Sequence, residues 1–223
     1  MNQENQFNSD SESIVPFRGG MVVRVGLCML QGARHAHIRS LEHASEEGNI
    51  PIIIHELRTA SQFKKYKCDV YVLPGGETTT MRRTGGSLEN GGSGLLQSLF
   101  SHLRESNAPV LGTCAGAILL CNPDDGGEPL LPASIERNAY GRQVDSFQDS
   151  VNVRLFDRQF PGVFIRAPRF EQSSINCESI ATHDGEIVGI MHESRVALTF
   201  HPELTDDSGF HVWLLQQAFN SSE

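Results

Sequence analysis

Pro109-Val-Leu-Gly-Thr-Cys114-Ala-Gly116 is the stretch that decides the fold of this chain. Its pattern predicts a short apolar strand, a Gly-x-Cys-x-Gly turn and an apolar helix over residues 117–120. A nucleophile between two glycines at a strand-to-helix turn forms a sharp elbow, which needs small flanking residues. The N–H groups that begin the helix point at the sulfur and favour the thiolate. Cys114 is therefore a candidate nucleophile for acyl transfer, and the alternative is a buried structural cysteine.

Apolar strands and helices alternate on both sides of this elbow. The predicted strands cover residues 21–30, 50–54, 70–73 and 110–111, and the predicted helices cover 33–47, 60–65, 95–104 and 117–121. This alternation predicts a mostly parallel, doubly wound sheet. Ligands of such sheets bind beyond the C-terminal ends of the strands. Gln31, Gly75 and Cys114 each follow a strand, so we expect them to meet at one edge.

The second half of the sequence has a different pattern. Short β-like runs cover residues 150–155, 163–165, 179–182, 186–191 and 196–200, and a closing helix is predicted over 210–219. We expect an antiparallel or mixed extension of the same sheet, so residues 21–223 are predicted to form one α/β domain. Residues 1–20 are polar and lack the basic and apolar segments of a secretory signal, which predicts a disordered extension.

Charge and composition argue against several classes of partner. The formal net charge of -9 argues against a nucleic-acid partner, because phosphate binding needs clustered positive charge. The apolar runs are too short and interrupted for a transmembrane helix, so no membrane partner is expected. The 5 cysteines are widely spaced and form no Cys-x-x-Cys pair, which favours a reduced, cytoplasmic protein without a disulfide framework or zinc site.

Phe200-His201-Pro202-Glu203 supplies the partners that a cysteine nucleophile needs. The preceding residues are apolar and β-branched, which predicts a strand that runs into a loop. If the extended conformation persists through Pro202, His201 and Glu203 share one face. The imidazole can then accept the thiol proton while the carboxylate fixes its orientation. Alone, this tripeptide is also typical of an ordinary strand end.

Leu73-Pro-Gly75-Gly76-Glu77-Thr-Thr-Thr80 forms a third candidate element. The pattern predicts a strand end followed by a helix that a threonine caps. A glycine pair at this place lets backbone N–H groups approach a ligand closely and stabilise an oxyanion. A plain turn is the alternative.

Two histidines lie on the first predicted helix. His35 and His37 are two positions apart, so helical geometry places them on different faces. A shared metal ion is therefore not expected, and we interpret both as surface or interface residues.

Taken together, these motifs resemble the class I (triad) glutamine amidotransferases and, within them, the glutaminase subunits of pyridoxal 5'-phosphate synthase. The resemblance extends over most of the chain. The segments that carry it are Leu30-Gln-Gly32, the Pro-Gly-Gly-Glu segment through Arg83, Gly112-Thr-Cys-Ala-Gly116, Arg137-Asn-Ala-Tyr-Gly-Arg-Gln-Val-Asp-Ser-Phe147, Gly162-Val-Phe-Ile-Arg-Ala-Pro168 and Phe200-His-Pro-Glu-Leu-Thr205.

The resemblance implies a class I amidotransferase fold and hydrolysis of L-glutamine to glutamate and ammonia. It implies the following catalytic roles: Cys114 as nucleophile, His201 as acid/base and Glu203 as the residue that orients it. The implied substrate-binding residues are Gly75, Gly76, Glu77, Arg137, Ile165 and Arg166. The implied oxyanion donors are the backbone N–H groups of Gly76 and Ala115. No metal or organic cofactor is expected.

The resemblance also implies a partner, a (β/α)8-barrel synthase subunit that receives the ammonia in a large hetero-oligomer and orders the oxyanion segment. In that family a Glu-His pair usually stands where this chain has Ala36-His37, in a region expected to face the synthase. Two alternatives remain open at this point. One is a γ-glutamyl peptide hydrolase on the same scaffold, and the other is a catalytically silent binding subunit.

Overall fold

The computed structural model describes residues 21–137 and 146–220, so the predicted extension over residues 1–20 lies outside it. Within those ranges the chain forms eleven strands and six α-helices. In chain order they are β1 (Val23–Cys28), α1 (Arg34–Gly48), β2 (Ile52–Leu57), α2 (Ala60–Lys65), β3 (Val70–Leu73), α3 (Thr78–Gly85), α4 (Leu95–Glu105), β4 (Val110–Thr113), α5 (Ala115–Cys121), β5 (Ile135–Glu136), β6 (Ser146–Val153), β7 (Arg158–Ile165), β8 (Arg169–Phe170), β9 (Glu178–His183), β10 (Glu186–His192), β11 (Arg195–Leu198) and α6 (Gly209–Asn220).

One large mixed sheet dominates the part of the chain that the structure describes. Its strand order is β2-β1-β3-β4-β11-β10-β9-β6-β7, and β5 pairs with β8 separately. The strands from β2 to β11 in this order are mutually parallel, whereas the pairs from β11 to β7 are antiparallel. The predicted mostly parallel α/β sheet with an antiparallel extension is confirmed.

Helices cover both faces of the parallel part. Strand β3 shows why, since Val70 and Val72 belong to one hydrophobic cluster while Tyr71 and Leu73 belong to a second. Helices α1 and α6 pack in the first cluster, and α3, α4 and α5 pack in the second. A strand that is buried on both faces reads as a continuous apolar run, which is the pattern that predicted it.

The antiparallel strands extend further than the apolar runs indicate. Strand β6 pairs with β7 from Ser146↔Ile165 to Val153↔Arg158, including several exposed polar residues. Backbone hydrogen bonding, rather than side-chain burial, fixes these positions, so hydrophobicity alone does not mark them.

The fold brings the C-terminal ends of β1, β3, β4 and β11 to one edge of the sheet. Gln31, Gly76 and Cys114 line one cavity there, and Gly75 lies against Cys114, as the order of strands and turns predicts. Across the described ranges, no helix is both long and apolar enough to cross a membrane.

Candidate active site

Cys114 stands at a strained elbow between β4 and α5. Its backbone has φ 49° and ψ -105°, a conformation that non-glycine residues seldom adopt. The N–H of Cys114 donates to the carbonyl of Leu198 over 2.8 Å, which ties the elbow to the neighbouring strand. Helix α5 begins at Ala115, two residues earlier than predicted, so its N-terminus is directly at the cysteine. The side chain is almost buried but lines a cavity.

His201 lies between Cys114 and Glu203. Its Nδ1 is 2.8 Å from Oε1 of Glu203, and its ring lies against Gly75, close enough to the Cys114 side chain to interact with it. The predicted reason for this proximity was wrong. Strand β11 ends at Leu198, and Pro202–Leu204 forms a 3₁₀ turn that folds the carboxylate back onto the ring. Proline's fixed φ suits the first position of such a turn as well as it suits a strand.

The two buried partners stabilise each other's charged forms. Burial alone would lower the pKa of His201, but its hydrogen bonds to Cys114 and Glu203 and the charges of both groups raise it from 6.5 to about 10. Burial alone would raise the pKa of Glu203, but its interaction with His37 and the hydrogen bond from His201 hold it well below its ordinary value. The site therefore favours an imidazolium next to a carboxylate.

His37 is neither the surface residue nor the interface residue that its place in the sequence predicted. It is fully buried on α1, with Nε2 3.3 Å from Oε1 of Glu203. Its Nδ1 lies 3.4 Å from Nε2 of His211, which is also fully buried, on α6. His35 is exposed, as expected. The i, i+2 spacing correctly placed the two histidines on different faces, but it did not show which face packs against α6.

The glycine pair after β3 lies against the catalytic candidates. A Cβ at Gly75 would be 2.6 Å from Cε1 of His201, so only glycine leaves that ring in place. Gly76 has φ +148°, and a Cβ there would be 2.9 Å from the side chain of Gln31. Gln31 also accepts a hydrogen bond from the N–H of Glu77 over 2.6 Å. The segment is therefore held in a conformation that excludes larger residues.

Glu77 caps α3, a role that the sequence pattern assigned to a threonine. Its carboxylate accepts hydrogen bonds from the N–H groups of Thr79 (2.9 Å) and Thr80 (2.6 Å). These backbone hydrogen bonds, followed by that of the Thr80 hydroxyl, lower the pKa of Glu77 from 4.5 to about 2. Arg137 donates Nη2–H to the same carboxylate over 2.7 Å. Because this hydrogen bond to Glu77 holds the half-exposed guanidinium of Arg137 in place, the directions of its other N–H donors are fixed as well.

A cavity of about 510 Å³ collects the predicted residues. Those that line it are Gly76, Glu77, Cys114, Ala115, Arg137, Ile165, Arg166 and His201. Gly75 contacts the cavity residue His201, and Glu203 lies behind that ring. Arg166, directly after β7, has φ +43°, so the backbone is turned sharply where it meets the cavity. Residues 138–145, within the predicted motif that follows Arg137, lie outside the described ranges.

Known proteins resemble this chain over most of its length. The model of the SNO glutamine amidotransferase family matches residues 27–220. This chain belongs to the SNO glutamine amidotransferase family.

Individual relatives and a solved structure also match most of the chain. The pyridoxal 5'-phosphate synthase subunit PdxT of Thermococcus onnurineus is 39% identical over 204 residues, which are 88% of this chain and 100% of that protein. PdxT of Actinobacillus pleuropneumoniae serotype 5b is 40% identical over 197 residues, covering 86% of this chain and 94% of that one. A crystal structure of a glutamine amidotransferase has a TM-score of 0.73 at 32% identity, over 87% of this chain and 98% of the other.

A larger cavity, of about 1020 Å³, lies beside β6 and β7 in this SNO-family chain. The residues that form it, all within the described ranges, include neither cysteine nor histidine. It therefore lacks side chains like the candidate nucleophile Cys114 and the candidate base His201, which line the smaller cavity. In the same ranges, no group of three or more His, Cys, Asp and Glu side chains is arranged to hold a metal ion.

Sequence reasoning missed two buried histidines that lie behind the candidate site. The role of His37 in contacting Glu203 depends on the packing of α1 against the turn that follows β11. His211 belongs to α6, 174 positions from His37, and no local pattern links the two. The one available signal was the placement of polar histidines within otherwise apolar helical faces.

Proposed function

We propose that this chain is the glutaminase subunit of a pyridoxal 5'-phosphate synthase and that Cys114, His201 and Glu203 hydrolyse L-glutamine. One observation carries the proposal. The His201 ring contacts the nucleophile on one side and the buried carboxylate, at 2.8 Å, on the other, at the wall of a cavity large enough for an amino acid. A cysteine, a base and an orienting carboxylate in this order are the groups that covalent amide hydrolysis requires.

In the first half-reaction, the Cys114 thiolate attacks the side-chain amide carbon of glutamine. The carbonyl oxygen becomes an oxyanion next to the backbone N–H groups of Gly76 and Ala115. Ala115 is the first residue of α5, so its N–H has no partner within the helix and is free to donate. The imidazolium of His201 gives its proton to the departing nitrogen, and ammonia leaves behind a γ-glutamyl thioester.

In the second half-reaction, neutral His201 removes a proton from water, and the resulting hydroxide attacks the thioester. Collapse of the second tetrahedral intermediate releases glutamate and restores the thiolate–imidazolium pair. Glu203 remains a carboxylate throughout and stabilises the imidazolium each time it forms.

Substrate binding is proposed for the polar rim of the cavity. The guanidinium of Arg137 uses Nη2 for Glu77 and Thr79, and its other N–H groups are suited to the α-carboxylate of glutamine. Ile165 and Arg166, whose backbone is turned sharply, also line this cavity. The synthase partner, which we propose to be a (β/α)8 barrel within a large hetero-oligomer, receives the ammonia.

The deciding experiment measures glutamate and ammonia release by the purified chain, with and without the synthase subunit. We expect glutaminase activity in the complex and its loss in Cys114→Ala, with synthase binding retained. Turnover by the Cys114→Ala complex would contradict the assignment of the nucleophile. Faster release of glutamate from γ-glutamyl peptides than from glutamine would show a peptide hydrolase on the same scaffold instead.

A further inference from the structure

Two histidines that take no part in the proposed chemistry lie directly behind it. His37 on α1 and His211 on α6 have no exposed surface. His37 places Nε2 3.3 Å from Oε1 of Glu203 and Nδ1 3.4 Å from Nε2 of His211. With His201 at 2.8 Å from the same carboxylate oxygen, these groups form one buried polar chain that ends at Cys114.

A buried row of polar side chains of this kind is energetically unfavourable in a protein interior. A buried carboxylate or imidazole lowers stability unless donors and acceptors match, and apolar residues of the same size would pack at least as well. Helix α1 also contacts the backbone of this segment, since Oγ of Ser40 lies 3.4 Å from the carbonyl oxygen of Glu203. One face of α1 thus contacts both the side chain and the main chain of Glu203.

Matching donors to acceptors shows in which direction the hydrogen bonds run between His211, His37 and Glu203. An ionised carboxylate only accepts, so the nitrogen of His37 that faces Oε1 must carry a hydrogen. Burial lowers the pKa of His211 to about 3, so this ring is neutral and has a single N–H. With that hydrogen on Nε2, His211 can donate to Nδ1 of His37, and the Nε2–H of His37 then faces Oε1 of Glu203 at an N–O distance of 3.3 Å.

We propose that His37 is a positioning residue, which gives Oε1 of Glu203 a second N–H donor and holds the carboxylate against His201. His211 fixes the tautomer of His37 in this arrangement. The proposal rests on the proposed function, because it assigns His37 to the glutaminase triad. Neither His37 nor His211 lines the cavity, so we expect neither to contact bound glutamine.

Loss of the donor has a defined chemical consequence. Glu203 would retain His201 as its donor in a site without solvent contact, so the carboxylate would rotate or take up a proton. His201 would then lose part of the charge that stabilises its imidazolium. Chemistry on the bound substrate should slow while glutamine affinity stays unchanged.

The test compares His37→Leu with His37→Gln in the complex with the synthase subunit. The glutamine amide can place an N–H near the position of Nε2, whereas leucine fills the space without a donor. We expect kcat to fall about tenfold or more in His37→Leu, with KM within about twofold, because a hydrogen bond to a charged group is lost. His37→Gln should recover most of that loss. His43→Leu, the same change at an exposed position of α1, should match the wild type.

A second measurement does not depend on glutamine turnover. Alkylation of Cys114 by iodoacetamide, followed by mass spectrometry of its peptide, should slow in His37→Leu and recover in His37→Gln. If the wild-type complex hydrolyses no glutamine, the proposed function fails, while these alkylation rates still decide whether His37 supports the triad.

Three results would overturn the proposal: wild-type kcat and alkylation in His37→Leu, equal losses in the Leu and Gln variants, or a change in KM alone. If His37→Leu does not fold, His37→Asn takes its place. Its amide reaches only as far as Nδ1 and leaves Glu203 without the donor. Equal kcat in the Asn and Gln variants would then reject the role of His37.

Discussion

Gly75 lies so close to the proposed catalytic histidine that a side chain does not fit there. A Cβ would be 2.6 Å from Cε1 of His201 and 3.4 Å from Cβ of Cys114. We predict that Gly75→Ala lowers kcat for glutamine about hundredfold, because a displacement of about 1 Å at a reacting group has an effect of that size. Steady-state assays of the complex measure it, with urea unfolding to confirm that the variant is folded.

The matched control for this substitution is Gly185→Ala, in the turn between β9 and β10. Gly185 has φ +77°, and a Cβ there would have no other atom of the described residues within 4 Å, so the change strains the backbone without a clash. It should lower the free energy of unfolding by about 1–2 kcal/mol and leave kcat unchanged. Equal losses of kcat in both variants would reject the steric explanation.

Glu203 sets the pH range over which His201 stays protonated. Although burial opposes it, contact with Cys114 and Glu203 raises the pKa of His201 from 6.5 to about 10. The imidazolium must protonate the departing ammonia, so kcat/KM should fall as pH rises through this value. Glu203→Gln keeps the size but removes the charge, so we predict that the decline moves to lower pH. A pH profile of the complex measures the shift, and an identical alkaline decline in the variant would disprove the role of the carboxylate.

At the scale of the element, α3 depends on one side-chain cap. The backbone N–H groups of Thr79 and Thr80 lower the pKa of Glu77 from 4.5 to about 2. Because the pKa is lower in the folded state, the stabilisation is fully present above about pH 4.5 and is lost as pH falls towards 2. We predict that Glu77→Gln lowers the urea midpoint at pH 6, and that its difference from the wild type shrinks at pH 3.

Thr78→Val is the control for the cap, because the Thr78 hydroxyl has no hydrogen-bond partner among the residues that the structure describes. This variant should keep its difference from the wild type constant with pH. If instead the difference between Glu77→Gln and the wild type is the same at pH 6 and pH 3, and Thr78→Val lowers the urea midpoint more, the threonine cap predicted from the sequence is correct after all.

Local patterns predicted some elements fully and others only by type. Helix α2 and strand β3 have the predicted bounds. In the structure Thr59 caps α2 by accepting a hydrogen bond from the N–H of Gln62, and a continuous apolar run forms β3. His201 and Glu203 meet because a 3₁₀ turn, and not a strand, connects them. The sequence could not decide between the two, because the fixed φ of proline suits a strand and a 3₁₀ turn equally well. The cap of α3 also escaped prediction, since Glu77 and the threonines after it can both accept hydrogen bonds from N–H groups.

For the molecule as a whole, the sequence predicted which residues meet at the edge of the sheet. It did not predict the contacts between the helices behind that edge. A parallel sheet brings the ends of its strands together whatever its side chains are, so Gln31 and Cys114 were expected at one edge. The contact between His37 and His211 joins residues 174 positions apart through the packing of α1 against α6. Amphipathic patterns show that each helix buries a face but not which partner it meets.

The two hydrophobic clusters occupy opposite faces of one sheet, and this chain has a single tryptophan with which to test whether they unfold together. Trp213 lies on α6 in the cluster that contains α1, whereas Leu99 of α4 is fully buried in the other. Tryptophan fluorescence therefore reports one face, and far-UV circular dichroism reports the whole sheet. The strands between them are shared, since β3 contributes side chains to both clusters.

We predict that Leu99→Ala lowers the free energy of unfolding by about 2–5 kcal/mol and shifts both signals by the same amount. The space that this substitution leaves lies on the face of the sheet opposite Trp213. A common shift of both signals therefore requires the two clusters to unfold as one cooperative unit. Leu88→Ala, at a residue with 67% exposure, should change stability by less than about 0.5 kcal/mol. If Leu99→Ala moves the circular dichroism transition and leaves the Trp213 transition in place, residues 21–223 form two units rather than the single domain that the shared sheet predicts.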